Sequence, residues 1–208
     1  MAKRTSDGDI VTTVLSASSS SSPNVEEREG DILDGSEQYL VHQCNCQTTG
    51  SAGLAAAIFE KYPAANTYRN GKQRIPGTVD VIEGVAEDRN VVNLYGQDKP
   101  GRPSMGEFCR KQWFQSALSE LGTIIRTHPA NQGRRVTVAF PYQIGCGLAG
   151  GDWSVYSTLI GYFAEKYKDV LHVVIYRLPH GLGIAENRKV AAAPSSNLDR
   201  PPTFRTDI

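Results

Sequence analysis

Two stretches of this chain share one plan: an apolar strand, a glycine-rich turn and the start of a helix. The first runs from His42 through Asn45, Ser51, Ala52, Gly53 and Leu54 to Phe59, and the second from Phe140 through Gly145-Cys146-Gly147-Leu148-Ala149-Gly150 to Trp153. A strand that turns through glycines into a helix is the building block of an α/β fold, and it leaves the first N–H groups of that helix without acceptors. The helix dipole adds partial positive charge at the same place, so an anion can supply the missing acceptors. Two such loops imply a diphosphate. Neither ends in the Gly-Lys-Ser/Thr of a Walker loop, and the second is too glycine-dense for a dinucleotide-binding fingerprint.

The rest of the middle of the chain alternates in the same way. Segments 39–42, 78–82, 90–95, 135–140 and 171–176 are short, β-branched and bounded by turn residues, the pattern of buried strands. Between them, Gly53 to Tyr62 stops at Pro63, while 109–127 and 153–167 repeat apolar groups at helical spacing, which predicts three helices. Strand–helix alternation predicts an α/β/α sandwich whose ligands sit beyond the carboxyl ends of the strands, where both glycine loops fall. The first strand is either Ile10 to Leu15 or Asn24 to Arg28.

Composition narrows the class. With 22 basic and 22 acidic side chains in 208 residues, the chain can bury a substantial core and has no net field to draw in nucleic acid. No apolar run approaches the roughly 20 residues that span a bilayer, and no secretory h-region precedes the domain, so an intracellular monomer without membrane contact is expected. Cys44, Cys46, Cys109 and Cys146 lack regular spacing and read as reduced thiols. Residues 1–24, serine-rich, and 181–208, rich in Pro, Ala, Asn and Arg, are expected to be flexible tails around a domain at 25–180.

Taken together, Gly30-Asp31-Ile32-Leu33, Asn45, Ser51-Ala-Gly53 and Gly145-Cys-Gly147-Leu-Ala-Gly150 resemble the ADP-ribose-binding macrodomain family in order and spacing. The similarity covers roughly residues 28 to 178. His42-Gln-Cys-Asn-Cys is similar to the subgroup of ADP-ribose-1''-phosphate phosphatases and terminal ADP-ribose-glutamate hydrolases. The resemblance implies a three-layer α/β/α sandwich with a mixed central sheet and ADP-ribose, its 1''-phosphate or an ADP-ribosylated protein as partner; the expected activity is hydrolysis of the 1''-phosphate without metal or cofactor, the alternatives being a noncatalytic reader of ADP-ribosylation or a hydrolase removing ADP-ribose from protein or nucleic acid. It also implies that Asp31, with Ile32 beside it, meets the adenine, that Ser51, Ala52, Gly53 and Leu54 with Gly145 to Gly150 clamp the diphosphate, and that Asn45 and Gln97 line the distal ribose.

The catalytic set is less regular. The glutamate-ADP-ribose hydrolases carry a lysine after the strand matching 90–95 and an aspartate after Gly-Cys-Gly-Leu; here those places hold Gln97, or Lys99, and Ala149. His42, with a pKa suited to acid–base work, Asn45, which can orient water, and Asp152 are therefore the expected catalytic residues. Asp152 also fits a helix N-cap, and Asn45 and Asp31 fit turn roles. Arg102 offers a fork for a terminal phosphate, and Tyr95 is a candidate wall of the distal pocket. Two rivals remain: zinc on His42, Cys44 and Cys46, which share a strand face, and Cys146 as a nucleophile.

Overall fold

The computed structural model describes residues 24–103 and 106–179. Ile10 to Leu15 and most of both expected tails lie outside the described residues. The first strand that is described, β1 (Val25–Glu29), is the second of the two alternatives. There follow β2 (Tyr39–Asn45), α1 (Gly53–Lys61), β3 (Val79–Ala86), β4 (Arg89–Gln97), α2 (Glu107–Thr127), β5 (Val136–Pro141), α3 (Trp153–Lys166) and β6 (Leu171–Arg177).

The six strands form one sheet in the order β1-β6-β5-β2-β4-β3. Every pair is parallel except β3 with β4, where Val79 faces Leu94 across an antiparallel hairpin. The sheet is therefore mixed, as expected. Successive residues of a strand point to opposite faces, and each face has its own apolar core. Tyr39, Val41, Val92, Leu94, Val138, Phe140, Val173 and Ile175 pack toward α2 and α3, against Phe114, Leu121, Ile160 and Phe163. Leu40, Val91, Ala139 and Val174 face the other way, against Ile58, Phe59 and Tyr62 of α1 and its extension. Near-continuous burial along β4 and β6 follows from this double cover, since a parallel sheet coated on both faces has no solvent side. Among the described residues no helix is long and apolar enough to cross a membrane.

Candidate ligand-binding site

Because β1, β2, β4, β5 and β6 run parallel, the loops that leave their carboxyl ends share one edge of the sheet. The loop after β2 enters α1 through Ser51, Ala52 and Gly53, all exposed. Ala52 is the N-cap, with φ −143°, and no side chain caps the helix; its first turn holds no acid. The N-terminal N–H groups of α1 thus meet no side-chain acceptor and keep their partial positive charge. Leu54 anchors the turn by packing on the α1-side core.

The second loop differs from its expected form. Its helix, α3, is capped by its own carboxylate: Asp152 Oδ1 accepts from Ser154 N–H at 2.8 Å. A negative group already meets that helix terminus, so the N–H groups available to an anion belong to the turn before it. Within that turn, Cys146 N–H donates to Gln143 O (2.9 Å), Gly150 N–H to Gly147 O (3.0 Å) and Gly151 N–H to Gly145 O (3.0 Å). Among the described residues, the N–H groups of exposed Gly147 and Leu148 find no acceptor. Leu148 is 77% exposed at the tip. Gly145, at φ +72°, is indispensable to the path: a β-carbon there would lie 2.5 Å from Gln43 Oε1 and 3.0 Å from the Tyr156 ring, in a backbone region that disfavours side chains.

Asn45 ends β2 and is nearly buried. Its Oδ1 accepts from the N–H groups of Gln47 (3.1 Å) and Thr48 (2.8 Å), and its Nδ2 donates to Tyr68 Oη at 3.2 Å. This is a turn organiser that shapes the loop into α1. Asp31 is exposed, with Oδ1 accepting from Leu33 N–H at 2.9 Å. The side chain of Ile32 is in the core and its carbonyl accepts from Arg89. Gln97 faces inward: its Oε1 accepts from Gln43 Nε2 at 2.7 Å.

His42 is not at the site. It is 1% exposed on the α1 face, edge-on to Phe59, with Nε2 2.6 Å from Asn93 Oδ1. The Asn93 amide donates to Ala65 O and Thr67 Oγ1, so its Oδ1 must accept, which places the proton on His42 Nε2. The remaining Nδ1 then accepts from the Cys44 thiol, 3.6 Å away. Burial lowers the pKa of His42 to about 4, against a partial opposing effect of Asn93. An imidazole enclosed in this way touches no substrate, and its polar contacts are structural. Tyr95 belongs to the same network, 1% exposed, donating to Asp80 (2.6 Å) and paired with Thr67 (2.9 Å); it walls no pocket. Burial pushes the Cys146 thiol up to about 11, where it is no thiolate nucleophile at neutral pH.

Three groups beside these loops escaped the sequence pattern. Arg110 of α2 is buried and donates to Ala149 O in the second glycine loop and to Lys99 O and Gly101 O after β4. Nothing in the sequence marks it, because one arginine in an amphipathic helix reads as a solvent-facing residue. Tyr68, with the Arg74 guanidinium over its ring at 4.6 Å, buttresses Asn45 from the long segment before β3. At the Asp31 end, Gly30 N–H donates to Arg177 O, and the Arg177 guanidinium lies 3.6 Å from the centre of the Tyr142 ring, itself edge-on to Trp153. Arg102 is exposed and lays its stem toward Gly150.

No family model matches the chain. A curated ADP-ribose 1''-phosphate phosphatase from Ajellomyces capsulatus is 48% identical over 42 residues, 20% of this chain and 16% of the relative. The chain thus spans less than a fifth of that relative's length. Among solved structures, the macrodomain of Mycobacterium tuberculosis DarG superposes with a TM-score of 0.59 at 20% identity, covering 73% of this chain and 96% of that one. Thermosipho africanus DarTG in complex with ADP-ribose gives 0.57 at 20% identity over 76% of this chain and 42% of that one. Identity this low speaks to architecture alone, and on that ground the chain has the macrodomain fold.

Proposed function

We propose that this chain binds ADP-ribose along the carboxyl edge of its sheet and hydrolyses the 1''-phosphate ester of the distal ribose. One observation carries the reading. The uncapped N-terminus of α1 and the unpaired amides of Gly147 and Leu148 lie on the same sheet edge, a pair of anion sites suited to a diphosphate. The curated relative named for this phosphatase, and the neighbour solved with ADP-ribose, support the choice of ligand and ester.

In this reading the adenine lies toward Asp31 and the Tyr142 shelf, and Asn45 holds the loop whose N–H groups meet the phosphates. With His42 enclosed, Asp152 is the proposed base. It is exposed beside the second loop, with one carboxylate oxygen on Ser154 N–H. Water adds to phosphorus as the P–O1'' bond breaks, the water proton passes to Asp152, the leaving ribose oxygen takes up a proton from solvent, and Asp152 returns its own proton to solvent. The test is a product assay with ADP-ribose-1''-phosphate and glutamate-linked ADP-ribose. Phosphate release is expected from the first, with Asp152→Asn and Asn45→Ala each lowering turnover roughly a hundredfold.

The second reading, a noncatalytic reader of ADP-ribosylation, draws on a specific observation. The lysine and aspartate positions of the hydrolases hold Gln97, tied to Gln43, and Ala149, tied to Arg110. ADP-ribose binding by a wild type that leaves both substrates intact decides for the reader.

A further inference from the structure

Arg110 lies on the inward face of α2, 2% exposed, with its fork spread over three carbonyl oxygens. Nη1 donates to Ala149 O at 2.6 Å; Nη2 donates to Gly101 O at 2.7 Å and to Lys99 O at 3.2 Å. Ala149 belongs to the glycine loop after β5, while Lys99 and Gly101 belong to the loop after β4. Burying a guanidinium costs desolvation energy that an apolar side chain at the same place would avoid, and the Arg110 Nε has no acceptor. Packing alone does not account for a cation here.

We propose that Arg110 is a positioning residue that yokes these two loops, so that they hold the diphosphate and distal ribose as one rigid unit. The inference rests on the proposed ligand and adds a residue to its machinery. The geometry supplies the means. Among the described residues the peptide bonds are trans, so a carbonyl and the following N–H point in opposite directions. Pinning the Ala149 carbonyl inward holds the Gly150 N–H toward Gly147 O at 3.0 Å, which closes the turn with the Gly147 and Leu148 amides outside it. The same guanidinium fixes the 99–101 backbone, and a planar fork does this for both loops at once where a single ammonium cannot.

Amide hydrogen exchange on the free protein, followed by calorimetry with ADP-ribose, tests the yoke using Arg110→Ala and Arg110→Lys in the full chain. In both variants the bonded amides of Cys146, Gly150 and Gly151 in one loop, and of Cys46, which donates to Asp98 O at 3.0 Å beside the other, should lose protection together while those of β2 and β6 keep theirs. ADP-ribose affinity should fall roughly 10- to 100-fold in Arg110→Ala, and Arg110→Lys should recover little of it. Loss of protection in one loop only, or wild-type affinity in Arg110→Lys, overturns the proposal. If Arg110→Ala fails to fold, Arg110→Lys decides by the same exchange pattern. The exchange experiment needs no ligand, so a wild type that does not bind ADP-ribose removes the functional reading and leaves the yoke to be judged separately.

Discussion

His42 shows how far a residue's chemistry depends on its surroundings. Sequence offers a titratable ring beside Asn45; the fold closes it between Phe59, Cys44 and Asn93 and holds it neutral. Its pKa falls from an ordinary 6.5 to about 4 in the folded chain. The unfolded chain therefore binds the extra proton between those values, and stability present above pH 6.5 is lost as pH falls toward 4. The cost is about 3 kcal/mol when the whole window is crossed. Denaturant midpoints from pH 7 to pH 4, paired with an NMR titration of the ring, check this. A ring that titrates near 6.5 in the folded protein refutes the buried assignment. The alternation of β2 was enough to put His42 and Cys44 on one face; that the face was covered by α1 depended on Phe59 and Tyr68, contacts distant in sequence.

At the scale of elements, α1 and α3 begin alike and end up chemically opposite. Asp152 already fills the terminus of α3, whereas α1 starts at Ala52 with no cap. An uncapped helix is less stable than it needs to be, and Ala52→Asp should repair it by about 0.5 to 2 kcal/mol. The added carboxylate also stands where the proposed diphosphate binds, so ADP-ribose affinity should drop by about tenfold or more. Thermal melts and calorimetry on the same variant should move in opposite directions; a variant that melts higher and binds as before shows that the ligand avoids α1. Five strands and three helices were legible because the strands are short β-branched runs between turn residues and the helices repeat apolar groups at a period of 3.6. β1 was ambiguous because Val-Glu-Glu-Arg-Glu carries one apolar residue at a sheet edge. Both glycine loops were legible from composition, but the cap that separates their roles depends on where Asp152 points.

For the molecule as a whole, one sheet separates two cores, and the proposed ligand site lies where five strands end together. Among the described residues the edge strand β1 joins that sheet only through β6, with Val25 opposite Val173 and Glu29 opposite Arg177. The first strand described therefore waits for the last. During synthesis β1 leaves the ribosome before β6 exists, and the turn carrying Asp31 is expected to stay unplaced until Leu171–Arg177 has emerged. The β3–β4 hairpin, by contrast, can close as soon as its two strands exist, because its contacts are local in sequence. A chain stopped at residue 170 should accordingly keep hairpin-like exchange protection in 79–97, leave 25–35 unprotected and fail to retain ADP-ribose. Protection of 25–35 in that fragment would show that β1 docks without its partner. Binding competence of the proposed site is then a late event: its Asp31 end, encoded among the first residues described, takes form only once β6 has been made.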